Sequence, residues 1–79
     1  MQREYEVDVI ELKKIMVERK LDKIVNLSNV SGVDRNTLLK VLSKEIKPST
    51  TVIEKLMKAL EIPSEKAGCI FFKENLRNR

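Results

Sequence analysis

Apolar residues return every three or four positions along most of this chain, the spacing that buries one stripe of a helix. From about Val7 to Arg19 the stripe is Val9, Leu12, Ile15 and Met16, with Glu11, Lys14 and Glu18 outside it and Asp8 placed to cap or charge the first turn. A shorter pattern over residues 23 to 30 sets Ile24, Leu27 and Val30 on one face, with Asp22 as its expected N-cap. Gly32 follows, where a helix C-terminus takes a left-handed residue that glycine enters without steric cost, and Val33 turns back to the core. Asp34 is the expected N-cap of a third helix over 34 to 43. Its buried stripe is Leu38, Val41 and Leu42, and its other side shows Arg35, Asn36, Leu39, Lys40 and Ser43.

In the stretch KEIKPSTT, Pro48 cannot continue a helix and holds Lys47 extended, while Ile46 is expected to tuck inward. Ser49 or Thr51 starts the next helix, with Glu54 able to complete a capping box. That helix, about 50 to 60, is the most regular, with Ile53, Leu56, Met57 and Leu60 on its inner face. Ser64 is expected to cap a last helix over 64 to 74, with Ala67, Ile70 and Phe71 inside, Phe72 off the stripe and a frayed NLRNR tail. No strand pattern, internal repeat or low-complexity tract interrupts this series. The expected fold class is all-α: a compact five-helix bundle, one domain over 1–79 with its core at 8–74.

Composition narrows the function. With 42% apolar and 35% charged residues in 79, the chain has the balance of a small globular domain. No apolar run approaches a membrane span, and MQREYEVD lacks the features of a signal peptide, so the cytoplasm is the expected compartment. Cys69 is the sole cysteine and histidine is absent, which removes an internal disulfide and a Cys-His nucleophile and leaves no metal site or cofactor to expect. Cys69 itself reads as a small buried apolar side chain. Without a phosphate-cradling glycine loop, and with its carboxylates on patterned solvent faces, the chain does not read as an enzyme.

The formal charge of +4 is unevenly placed. Residues 23 to 47 carry five basic side chains (Lys23, Arg35, Lys40, Lys44, Lys47) against two acidic ones, Asp34 and Glu45. Residues 1 to 22 carry five basic and six acidic. A basic excess around one motif is what a polyanion-binding face produces. That motif is two short helices joined through a glycine turn, the helix-turn-helix arrangement, whose second helix enters the major groove of DNA.

At these residues the chain resembles the helix-turn-helix domain of phage Cro proteins and repressors, the xenobiotic response element type, with the lambda-repressor-like fold. Leu27-Ser28, Ser31-Gly32-Val33, DRNTL at 34 to 38, Pro48-Ser49 and KLMKALEI at 55 to 62 carry the resemblance, over roughly residues 9 to 62. It implies that Arg35, Asn36 and Lys40 point at base edges, with Thr37 and Asp34 beside them at the helix start. Lys23 then matches the start of helix two, and Ser43, Lys44 and Lys47 match the loop that meets phosphate. The residue chemistry agrees: Arg and Lys pair with guanine O6 and N7, Asn pairs with adenine, and Leu39 is placed to touch a thymine methyl. Lys23, Asp34, Ser43, Lys44 and Lys47 are accordingly the expected phosphate-side contacts, which position without reading sequence.

Three positions depart from the family pattern. Ile24 stands where a glutamine is frequent, Lys44 where the family has a glycine after helix three, and KLDK is one residue longer than the commonest connection. The function implied is sequence-specific binding of duplex DNA by a small Cro-like transcriptional regulator, a phage or mobile-element repressor. Its partner is a near-palindromic operator, bound as a homodimer through the C-terminal helix. The alternatives are an antitoxin, for which an apolar patch from Phe71 to Leu76 would speak, and a helical protein-interaction module without DNA binding.

Overall fold

The computed structural model describes residues 5–74, in the order β1 (Tyr5–Glu6), α1 (Val9–Glu18), α2 (Ile24–Ser31), α3 (Arg35–Leu42), α4 (Thr50–Leu60), α5 (Ser64–Phe71) and β2 (Lys73–Glu74). The expected frayed tail at 75–79, with Leu76, lies outside the described residues. The all-α five-helix class holds, with one addition: two short strands join the ends of the domain.

The helix starts follow from which side chains accept the orphan N–H groups of a first turn. Asp8 Oδ1 accepts from the Glu11 N–H at 3.2 Å, Asp34 Oδ2 from the Thr37 N–H at 3.2 Å, and Ser49 Oγ from the Val52 N–H at 3.2 Å. Of the two candidates before α4, Ser49 is thus the cap and Thr51 lies inside the helix. Two expected caps are displaced. The N-cap of α2 is Lys23 rather than Asp22, in extended backbone (φ −91°, ψ 132°) and with no side-chain cap. The N-cap of α5 is Pro63 rather than Ser64: its fixed φ leads into the helix and its carbonyl accepts from the Lys66 and Ala67 N–H groups.

Four successive helices are stopped by a left-handed residue: Lys20 (φ 60°), Gly32 (φ 77°), Lys44 (φ 66°) and Glu61 (φ 54°). Only the second is a glycine, so Lys44 reverses the chain after α3 at the steric cost of a side chain, about 1–2 kcal/mol. Each reversal returns an apolar residue or a backbone donor to the helix just left. After Lys20, for example, the Leu21 N–H reaches the Met16 carbonyl at 2.7 Å.

The core gathers Leu12 and Met16 of α1, Leu27 of α2, Val33, Leu38 and Val41 of α3, Ile53, Leu56 and Leu60 of α4, and Ile62, Ala67, Ile70 and Phe71 around α5. Val9, Ile15, Ile24, Leu42 and Met57 pack against it, half-buried. In this packing α2 rests on α3 and α4, and α1 on α5. Arg19 ties α1 to the far end of α4, its Nε donating to the Leu60 carbonyl at 2.9 Å.

Three apolar residues lie elsewhere than expected. Val30 is 59% exposed, because the inward stripe of α2 runs through Ile24, Leu27, Ser28 and Ser31 instead. Ile46 is 41% exposed: the Glu45 and Ile46 N–H groups both fold back to the Lys40 carbonyl, and the loop curls outside the space filled by Val41. Cys69 is exposed, since helical phase puts it off the stripe of Ala67, Ile70 and Phe71, and phase outweighs the burial preference of cysteine.

The strands replace the expected last turn of α5, which ends at Phe71 rather than at 74. Phe72 is extended in φ (−129°), and β2 then pairs antiparallel with β1, Tyr5 opposite Glu74 and Glu6 opposite Lys73. The Asp8 N–H reaches the Ile70 carbonyl at 2.6 Å, and Lys73 Nζ lies 3.5 Å from Asp8 Oδ2. The chain ends of the described domain are therefore tied to each other and to the start of α1.

Candidate nucleic-acid interface

The angle between α2 and α3 is set by residues 28 to 34. Gly32 takes φ 77°, ψ 9° and its N–H stays on the Ser28 carbonyl at 2.8 Å, closing α2. Ser28 Oγ donates to the Val33 carbonyl at 2.7 Å, and the Val33 N–H donates to Ser31 Oγ at 3.1 Å. The side chain of Val33, only 4% exposed, pins the turn to the core from below. Every bond in this turn comes from α2 or the turn itself, so α3 starts in a fixed direction.

On α3 the buried Leu38 and Val41 face inward, which turns Arg35, Asn36 and Lys40 to solvent. Arg35 and Asn36 share the first turn, and Lys40 stands one turn beyond Asn36 on the same side. Thr37, half-buried, contributes its backbone N–H to the cap and lies at the margin of this face. Asp34 sits beside them with its carboxylate held in the cap. Its charge has the sign of a phosphate, so it orders the helix start and supplies no attraction to a backbone.

The expected phosphate-side residues divide. Lys23 is exposed at the start of α2, whose first turn has neither an acidic residue nor a side-chain cap. The N–H groups of that first turn have no side-chain acceptor, and a helix start of this kind favours an anion. Lys47 is exposed on the loop after α3. Ser43 and Lys44 have partners within the fold. Ser43 Oγ lies 3.1 Å from both the Lys40 carbonyl and Glu45 Oε2, and Lys44 Nζ lies 3.5 Å from Glu6 Oε1.

The hinge also brings together residues that the linear sequence keeps apart. Ile24 and Val25 of α2 and Leu39 of α3 meet Asp34, Arg35 and Asn36 around one surface hollow of about 420 Å³. Val25 and Leu39 are each 51% exposed. Val25 belongs to this surface and was hidden in the sequence. Its one trace there is an apolar side chain at an outward position of a two-turn helix.

Among the described residues no helix is long and apolar enough to cross a membrane. The family model for the Cro/C1-type HTH DNA-binding domain matches residues 11–65, from the first turn of α1 into the first turn of α5. Neither the curated proteins nor the solved structures give a match to the chain.

Proposed function

The chain belongs to the Cro/C1-type helix-turn-helix DNA-binding family, and from that premise we propose that it is a sequence-specific regulator of transcription that acts by binding rather than by catalysis. The observation that carries this reading is the pair Arg35 and Asn36, exposed on the first turn of a helix whose direction is locked across Gly32. An arginine offers guanine a bidentate donor pair and an asparagine does the same for adenine, each worth about 1–3 kcal/mol of discrimination. Lys40 extends the reading face, with Thr37 at its edge. Lys23 and Lys47 hold the flanking phosphates, while Lys44 and Ser43, already engaged by Glu6 and Glu45, contribute less.

One such module covers few base pairs, so the working form is a homodimer through the C-terminal helix on a near-palindromic operator in the cytoplasm. Phe72, 55% exposed beside Tyr5 and Pro48 at the end of α5, supports that choice of interface. Where the operator overlaps a promoter the outcome is repression, of the phage or mobile-element sort.

Selection of binding sites from a random duplex pool at two salt concentrations tests this. The expected product is a near-palindrome with half-sites about 34 Å apart, one turn of DNA. A pool that yields no enriched sequence, with weak binding lost in salt, overturns the reading.

A further inference from the structure

The strand β1 reaches beyond its own sheet to the loop after α3. Glu6 lies directly opposite Lys73 in β2, a position from which oppositely charged side chains ordinarily pair across the strands. Each is drawn elsewhere instead. Lys73 Nζ stands 3.5 Å from Asp8 Oδ2, and Glu6 Oε1 stands 3.5 Å from Lys44 Nζ. The space between strand and loop, about 150 Å³, is lined by Lys44 and Lys47, with Glu6 as the one carboxylate among its lining residues. The neighbouring donor of the loop is held in the same manner, Ser43 Oγ having Glu45 Oε2 at 3.1 Å.

We infer that Glu6 is an internal stand-in for a DNA phosphate, an autoinhibitory contact that holds Lys44 in the free protein and yields it to the backbone on binding. The inference rests on the DNA-binding reading. It adds that the amino-terminal strand, through one carboxylate, sets how much of the loop's charge the DNA can use.

The chemistry of the exchange is like for like, since a carboxylate and a phosphate both offer an ammonium an anionic oxygen. At 3.5 Å the Glu6 pair is looser than a charge-assisted hydrogen bond of about 2.7–2.9 Å, and both side chains are partly exposed, so the pair is weak and displaceable. After the exchange the charge of Glu6 stays beside the incoming phosphate and repels it. Lys44 together with Glu6 therefore brings no net charge to the interface, and the pair releases no counterion from the DNA, whereas Lys44 alone would release about one.

The experiment titrates the whole chain with the selected and the scrambled duplex at several salt concentrations. Beside it stand Glu6→Gln, Lys44→Ala, the two combined, and Glu65→Gln, which makes the same charge change on the exposed side of α5. Glu6→Gln keeps the length of the side chain and the register of β1. It should tighten both duplexes alike and steepen the salt slope by about 0.9, so that its advantage over the unsubstituted chain is about 3.5-fold larger at 50 mM salt than at 200 mM. In the Lys44→Ala background the same substitution should do no more than Glu65→Gln does.

A gain from Glu6→Gln that is no larger than that from Glu65→Gln, or that persists in full in the Lys44→Ala background, is an effect of net charge. Either result overturns the contact as an inhibitor and leaves DNA binding standing. Failure of the unsubstituted chain to bind any duplex removes the DNA-binding reading itself, and the role of Glu6 with it.

Discussion

The hydroxyl of Ser28 donates to the carbonyl of Val33 at 2.7 Å, across Gly32 and out of the last turn of α2. With the return bond from the Val33 N–H to Ser31 Oγ at 3.1 Å, it satisfies both backbone groups of the residue that anchors the turn in the core. Two serines on the inner stripe of α2 therefore do what an apolar pair could not. They fill the space beside Leu27 and fix the direction in which α3 leaves.

Ser28→Ala removes a part-buried hydrogen bond and leaves the Val33 carbonyl without its partner. The expected loss is about 0.5–1.5 kcal/mol of stability, read from the midpoint of urea unfolding at unchanged slope. DNA affinity should fall with it while the preferred sequence stays the same, since no reading side chain is touched.

At Gly32 a Cβ would meet nothing within 4 Å, so a substitution there is penalised through the backbone alone. Gly32→Ala should cost about 1–2 kcal/mol, and Gly32→Val more because of its β-branch. Lys44→Gly should do the reverse. It relieves the left-handed strain at φ 66° and forfeits only a half-exposed ion pair with Glu6, for a net gain of about 1 kcal/mol in a thermal melt.

Arg19 closes the end of α4 from α1, its Nε on the Leu60 carbonyl at 2.9 Å and its Nη2 on the Glu61 carbonyl at 3.4 Å. A cation there also meets the negative end of the α4 dipole. Arg19→Ala should cost about 1–2 kcal/mol in equilibrium unfolding. Arg19→Lys should recover only part of that, because an ammonium cannot span both carbonyls as the planar guanidinium does.

Lys47→Ala should weaken binding to all duplexes alike and lower the salt slope by about one. Lys44→Ala should change that slope less, since its ammonium already has Glu6 at 3.5 Å. Titration of selected and scrambled duplexes at several salt concentrations reads both values.

Much of this surface was legible in the chain because its causes are local. Asp34 caps within three residues, Gly32 sits where the left-handed turn falls, and Leu38 and Val41 set the phase that turns Arg35, Asn36 and Lys40 outward. What the chain hid depends on distant partners. The two-residue strands carry no periodicity and exist because Tyr5 finds Glu74. The meeting of Val25 with Leu39 follows from the angle between two helices, which no spacing within either helix encodes.

The most direct test of α3 as the reading helix is the affinity of Arg35→Ala and Asn36→Ala for the selected duplex and for a scrambled duplex of the same composition. Each variant should lose about 1–3 kcal/mol on the selected duplex and almost nothing on the scrambled one. Equal losses on both duplexes, or no loss on either, would contradict the assignment of Arg35 and Asn36 to base edges.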